Sequence, residues 1–515
     1  MFNFFRKLFF GIFGLFLSLK RIKGINFKYL IHEKYYASSK GKILIASNTT
    51  SATTFTNLEL YFSKIFKKNK FNVFYFLSDG EHCASLWEKE RLSRFNTNLN
   101  DIKLIESIPC KLISNIIYFI GGTNSIRFRF WPKLLNNEIE IIDQYIYIFK
   151  NSLKKEKFLK YELHEYAISG FTRYLGKTIS FKDIYLDKDL FCDYLQFVRS
   201  ACITALTWEK ILNEIEPNLL ILNHGLYVPQ GIILEVAKSN NIKVKTFHPG
   251  YRKNSLIIGD NDTYHKTLVK KDVSEYLNIP ISSLQKQKIQ DYLYSRRFGY
   301  NDQISFIHKN AEKLNLPEYI YKIKPFNLIL TNVAWDAQCH YENNQYNNMN
   351  DWILDIIELA RKYSNTNFVF RCHPAEVNGR RVSNEKTSDF IYKNSKNLKN
   401  IYIVKSEDKY STYKLLEESS AVIVYATKTA IEAACLGKPV LICGESFLRN
   451  KGIGLDLKNC DDIENTFLQL NSFKVDTDLA YNYAYHFFFR EMGSLPKLNS
   501  NDYLNEQMLL DRFLS

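Results

Sequence analysis

Residues 422–444 read VIVYATKTAIEAACLGKPVLICG, and the fold is decided here. An apolar β run, Val422 to Val424, stops at Tyr425-Ala426; Thr427-Lys428-Thr429 then opens a helix of small residues that Gly437 ends. Lys438-Pro439 leads into a second apolar run, Val440 to Ile442, which closes at Gly444. Strand, helix and strand at this spacing form a βαβ unit with parallel strands, and such units hold anions where strand ends meet a helix N-terminus. Thr427 and Thr429 stand at that point, as phosphate-holding hydroxyls or as plain helix caps. Glu432, one turn further in, is within reach of a ribose hydroxyl pair or is an ordinary helix carboxylate.

Roughly fifty residues upstream, residues 367–374 read NFVFRCHP. A buried strand ends abruptly in Arg371, His373 and Pro374, and the proline forbids a simple ladder continuation. Arg371 and His373 are thereby delivered to the same sheet edge as Thr427. Together the two stretches resemble the nucleotide-binding half of GT-B glycosyltransferases that use CMP-activated sugars, such as bacterial sialyltransferases and capsule-type Kdo transferases. In that family a His-Pro motif and a hydroxyl pair hold the CMP phosphate and a carboxylate holds the ribose. The resemblance assigns these roles to His373-Pro374, to Thr427 with Thr429, and to Glu432; here Lys428 separates the two hydroxyls, which are adjacent in the family. It implies two Rossmann-like domains facing a cleft and an inverting, metal-independent transfer without a cofactor. It also implies a nucleotide-sugar donor and a glycan or glycolipid acceptor of capsule or lipopolysaccharide type.

The rest of the second half fits this frame. An apolar run at 326–330 ends in Thr331-Asn332, the first loop of the nucleotide domain, and places Asn332 among the donor contacts. The Asn-rich stretch 338–350 reads as a mobile loop, over the cleft or in solvent. A helix over 352–363 and strands at 368–370 and 401–404 complete the domain, and an aromatic helix over 479–490 is expected to cross back to the first domain.

In the first half, strands at 41–47 and 71–76 flank a helix over 58–66, the opening of a doubly wound sheet. Helices over 139–149 and 190–212 read as layers packed on it. Strands at 218–222 and 242–247 end in Asn223-His224-Gly225 and His248-Pro249-Gly250, which puts both imidazoles on one rim. The following stretch, 250–265, is similar to the cleft-facing strand and loop of capsule-type transferases. The base that deprotonates the acceptor is sought among His224, His248, Asp260 and Asp262. Asp260-Asn-Asp262 has a metal-site spacing but lies in the half away from the nucleotide, so no metal is assigned.

The expected division is a membrane-interface helix at 1–24, an acceptor domain at 25–310, a nucleotide domain at 311–475 and returning helices at 476–515. The chain has 515 residues, 46% of them hydrophobic, enough for two large cores. Its net charge of +15 suits acidic partners, and no zinc-finger or RNP-like motif points to nucleic acid. Nine cysteines without CxxC spacing imply reduced thiols and a cytoplasmic compartment. The apolar run 8–19 between Arg6-Lys7 and Lys20-Arg21 is shorter than the roughly twenty residues a bilayer span needs. It reads as an amphipathic helix lying on the inner face of the cell membrane, or as an ordinary helix packed on the first domain. Three other readings share parts of the pattern: a CDP-polyol phosphotransferase of teichoic-acid type, a nucleotide-sugar 2-epimerase, and a non-catalytic polysaccharide-assembly scaffold.

Overall fold

The computed structural model describes residues 2–25, 38–47, 53–78, 107–117, 134–303, 305–306, 311–336, 341–379, 382–495 and 503–515. Among these, two six-stranded sheets organise the chain. The first comprises β1 (Lys42–Ser47), β2 (Asn72–Leu77), β3 (Leu219–Asn223), β4 (Lys243–Pro249), β5 (Ser255–Asp260) and the late strand β12 (Gly493–Ser494), in spatial order β2-β1-β3-β4-β5-β12. The second comprises β6 (Phe326–Leu330), β7 (Asn367–Arg371), β8 (Ile401–Val404), β9 (Ala421–Val424), β10 (Val440–Ile442) and β11 (Leu455–Asp456), in order β8-β7-β6-β9-β10-β11. Its pairs are all parallel, and helices cover both faces, which is why its strands read as continuous apolar runs. Strand order reverses between β1 and β3 and again between β6 and β9, the places where open α/β sheets leave a crevice at their carboxyl ends.

One strand runs against the rest of its neighbours. β5 pairs antiparallel with β4, Lys245 opposite Asp260 and His248 opposite Ile257. Asp260 therefore stands about 10 Å back along the sheet from the level of His248, at three residues of ~3.3 Å each. β12 then adds to the free edge of β5, and the final helix Tyr503–Leu514 packs on Thr53–Lys68, with Phe513 against Phe62 and Phe66. The aromatic helix that precedes β12, Thr477–Tyr485, passes into a π-helical turn over His486–Glu491.

The first core lies between its sheet and the long helix Lys188–Ile215, where the Trp208 ring meets Phe76 at 5.1 Å. The second core extends further upstream than the division at 310/311. Leu268, Val269, Ile289, Tyr292, Leu316 and Ile320 share one cluster with Phe326, Leu328 and Leu330 of β6. On its charge and helical pattern the stretch 270–317 reads as a linker, but its described helix Ser283–Arg296 packs on the second core and buries Ile289, Tyr292 and Arg296.

The N-terminal helix Phe2–Ile22 buries Leu17, Ser18 and Arg21 and exposes Ile12, Leu15, Phe16 and Leu19, each more than half accessible. These four positions form one stripe at helical spacing. Among the described residues no helix is long and apolar enough to cross a membrane.

Candidate active site

The crevice of the second sheet is built from the ends of β7, β6 and β9. His373 and Thr427 follow strands that flank β6, two spacings or about 10 Å apart. The central strand ties both loops down. Thr331 Oγ1 accepts the His373 backbone N–H at 3.2 Å, and Asn332 Nδ2 donates to the Ala426 carbonyl at 2.9 Å. Gly444 is required beside them, because a Cβ there would lie 2.7 Å from the Tyr425 carbonyl and 2.9 Å from Asn344 Oδ1.

His373 is half-buried, and its Nδ1 accepts the Ala375 N–H at 3.0 Å. In the neutral ring the proton is then on Nε2, which becomes a donor. Burial first, then the charges of Lys428 and Arg371, push its pKa down to about 3, so it offers a hydrogen bond rather than a charge. Thr427 Oγ1 accepts the Thr429 N–H and contacts the Thr429 hydroxyl, both at 3.3 Å, so the two threonines stand together despite the intervening lysine.

Two other residues of the motif are committed elsewhere. The Arg371 guanidinium is buried and donates to Thr412 Oγ1 at 3.2 Å and to the carbonyls of Lys405, Asp408 and Tyr410. It clamps the loop after β8 instead of facing the crevice. Glu432 is buried and ion-paired at 3.0 Å with Arg296, which also holds Asp302 at 3.1 Å. Lys428, in contrast, is half-buried, meets no carboxylate at ion-pair distance among the described residues, and holds its Nζ 4.1 Å above the Tyr251 ring. Desolvation, then Arg296, pushes its pKa down to about 8 against the opposing pull of Asp302 and Glu432.

Across the crevice, β3 and β4 bring His224 and His248 to one rim, their rings 6.0 Å apart. The turn at His224 is tight: it adopts φ +22°, and Gly225 follows at φ +72°, where a Cβ would press on Leu234 at 3.0 Å. His224 Nδ1 lies 3.4 Å from the Leu226 N–H, and burial, the neighbouring His248 and Arg173 hold its pKa well below the ordinary value. His248 stacks on Tyr264 at 4.8 Å and donates from Nδ1 to the Pro249 carbonyl at 2.7 Å, which leaves a lone pair on Nε2. Burial pushes its pKa down to about 4, with the Pro249 carbonyl and Asp336 resisting.

Asp260 and Asp262 are not beside them. Because β5 runs antiparallel, Asp260 pairs with Lys245 at 3.0 Å on the far rim, where both aspartates line a separate cavity of ≈ 720 Å³ with Arg490 and Arg512. From Asp262, whose carbonyl accepts Thr246 Oγ1 at 2.7 Å, the chain folds back to set Tyr264 on His248.

Further residues join the two rims. Tyr227 donates to Asp336 Oδ1 at 3.2 Å, and Arg173 pairs with the same carboxylate at 3.7 Å while covering the Trp335 ring at 5.0 Å. Residues 338–340 of the expected mobile loop lie outside the described residues. The described remainder is tied down: Tyr341 stacks on His265 at 4.0 Å, and Asn343 donates through its backbone and side chain to the buried Glu445. Sequence reasoning missed Arg296, which sits in a stretch that reads as linker, and Arg173, which carries no motif. Lys428 carries no role in the sequence reading beyond separating the two threonines, and Asp336 follows the Thr331-Asn332 loop without a motif of its own.

Residues 260–466, about two fifths of the chain, match the family model described as capsule polysaccharide biosynthesis protein. No curated protein matches the chain. Among solved structures it is similar to Thermosulfurimonas dismutans KpsC, beta Kdo 2,4 transferase, at 13% identity over 52% of this chain and 79% of that one, with a TM-score of 0.35. The beta Kdo 2,7 transferase of the same KpsC matches at 13% identity over 59% and 89%, also with a TM-score of 0.35. UDP-GlcNAc 2-epimerase from Neisseria meningitidis matches at 15% identity over 62% and 81%, with a TM-score of 0.26.

Proposed function

We propose that this chain, which over residues 260–466 carries the sequence pattern of capsule polysaccharide biosynthesis proteins, is a GT-B glycosyltransferase. In this reading it moves a sugar from a CMP-linked, Kdo-like donor to a glycan or glycolipid acceptor. The observation that carries the proposal is the Nε2–H donor of His373, standing with the paired hydroxyls of Thr427 and Thr429 around the β6/β9 crevice. Neutral donors fixed in a partly dry crevice stabilise charge that develops on a leaving phosphate without reorganising. On the facing rim, the Nε2 lone pair of His248 accepts the proton of the acceptor hydroxyl as the new glycosidic bond forms. Glu432 reaches a ribose only by leaving Arg296, so its part in donor binding is the weaker element of the motif.

Thermal shifts of the full chain with CMP, CDP, UDP and GDP test this reading. A CMP-selective rise supports it, a UDP-selective rise moves the donor class, and no rise with any nucleotide leaves the scaffold reading.

In the same proposal the enzyme works at the inner face of the membrane, a reading supported by the exposed stripe of Ile12, Leu15, Phe16 and Leu19 followed by Lys20 and Lys23. Replacing these four residues with glutamine is expected to release the protein from anionic liposomes in a sedimentation assay. The melting temperature should hold, because the packed face, Leu17, Ser18 and Arg21, is retained. Undiminished liposome binding by the variant would refute the membrane contact.

A further inference from the structure

Lys428 interrupts the hydroxyl pair, and its setting is unusual for an ammonium group. Its Nζ lies 4.1 Å over the ring of Tyr251, which belongs to the turn between β4 and β5 of the other sheet. Every other charged group near it already has a partner. Arg296 is held by Asp302 and Glu432, and Arg371 by the loop carbonyls, while His373 is neutral. Tyr251 and Tyr264, hydrogen-bonded to each other, form the facing wall. The ammonium is therefore desolvated with no carboxylate in contact among the described residues, only the more distant pull of Asp302 and Glu432, and it sits on the residue between the two threonines.

We propose that Lys428 is the cation that meets the donor's phosphate, and that Tyr251 is its resting partner, so that phosphate arrival exchanges a cation–π contact across the crevice for an ion pair. This rests on the donor site proposed above and adds to it a residue that the motif alone marks as an interruption. A cation over an aromatic face is held weakly compared with a charge-assisted hydrogen bond to phosphate, so the exchange runs toward the nucleotide. It also has a proton signature. Burial pushes the Lys428 amine down to about 8, and an anion in contact favours the charged form, so binding near that pH takes up protons.

Calorimetric titration of the full chain with CMP, in two buffers of different ionisation enthalpy, reads this directly. The phosphate itself does not interfere, because its second pKa of about 6 leaves it dianionic at pH 8. The expected result is net proton uptake on CMP binding at pH 8 and none when cytidine replaces CMP. Lys428→Met is expected to abolish the uptake and weaken CMP by about ten- to a hundredfold. Lys428→Arg should restore most of the affinity without the uptake. Tyr251→Leu should leave CMP affinity at least as high, because it removes the resting cation–π contact that the phosphate displaces. Wild-type affinity and uptake in Lys428→Met would overturn the inference. If that happened while His373→Ala and Thr427→Ala still weakened CMP, the donor site would stand without Lys428. If the wild-type chain bound no CMP, the site and the inference would fall together.

Discussion

His373 and His248 are both strand-end imidazoles followed by a proline, one on each sheet, yet their protons sit on opposite nitrogens. His373 accepts the Ala375 N–H at Nδ1 and presents Nε2–H, whereas His248 donates from Nδ1 to the Pro249 carbonyl and presents a lone pair. The cause is local backbone. After Pro374 the chain enters the short helix Ala375–Asn378, whose first N–H, that of Ala375, points back at the ring. His248 and Pro249 remain in β4, so the nearest free group is a carbonyl. In the reading proposed above, the same His-Pro pair thus yields a proton donor where a phosphate would leave and a proton acceptor where a hydroxyl would attack. Both rings stay neutral near pH 7, since burial holds their pKa values at about 3 and about 4.

The sharpest way to break this comparison is to remove the acceptor. His248→Ala is expected to lower transfer, followed as CMP release from a CMP-Kdo donor, by about 10²–10⁴, the usual contribution of a positioned base. CMP affinity should not change, because the ring stands on the opposite rim. A His248 variant that lost CMP affinity would place the donor on the first sheet and reverse the two roles.

Removing the donor comes next. His373→Ala should cost about 10²–10³ in the same assay, as for the loss of one hydrogen bond to a developing charge, with the melting temperature nearly unchanged for a half-buried side chain. Near wild-type turnover would remove His373 from the chemistry.

The second sheet and its crevice were legible because parallel buried strands announce themselves as apolar runs, with Pro374 and Gly444 marking where two of them stop and Gly437 where the helix of the βαβ unit ends. Both strand-end histidines follow from that reading alone. What periodicity does not encode is the destination of a long side chain. Arg371 and Glu432 sit at motif positions, but the former turns into the loop after β8 and the latter into a buried pair with a residue more than a hundred positions away. Strand direction is also silent in sequence. An apolar run at 255–260 looks the same whichever way it pairs, so the antiparallel course of β5, and with it the position of Asp260, needed the three-dimensional arrangement. The layer from 264 to 322 was hidden for a related reason: Ser283–Arg296 buries only Ile289, Tyr292 and Arg296, too few positions to give an apolar stripe.

The smallest expected effect tests that strand direction. Asp260 shares its rim with Lys245 and the C-terminal helix, about 10 Å from the level of His248, and its carboxylate is half exposed. Asp260→Asn keeps the shape and one hydrogen-bond acceptor but removes the charge facing Lys245, whose side chain is 4% exposed. The variant should therefore lose some thermal stability, read by melting. Its transfer rate should stay within about 0.5 kcal/mol of wild type in barrier, the ordinary spread for a substitution away from the chemistry. Collapse of turnover with CMP affinity intact would mean that the acceptor's proton leaves on the far rim. His248 would then be an ordinary buried imidazole, and the opposed tautomers a consequence of backbone geometry with no part in catalysis.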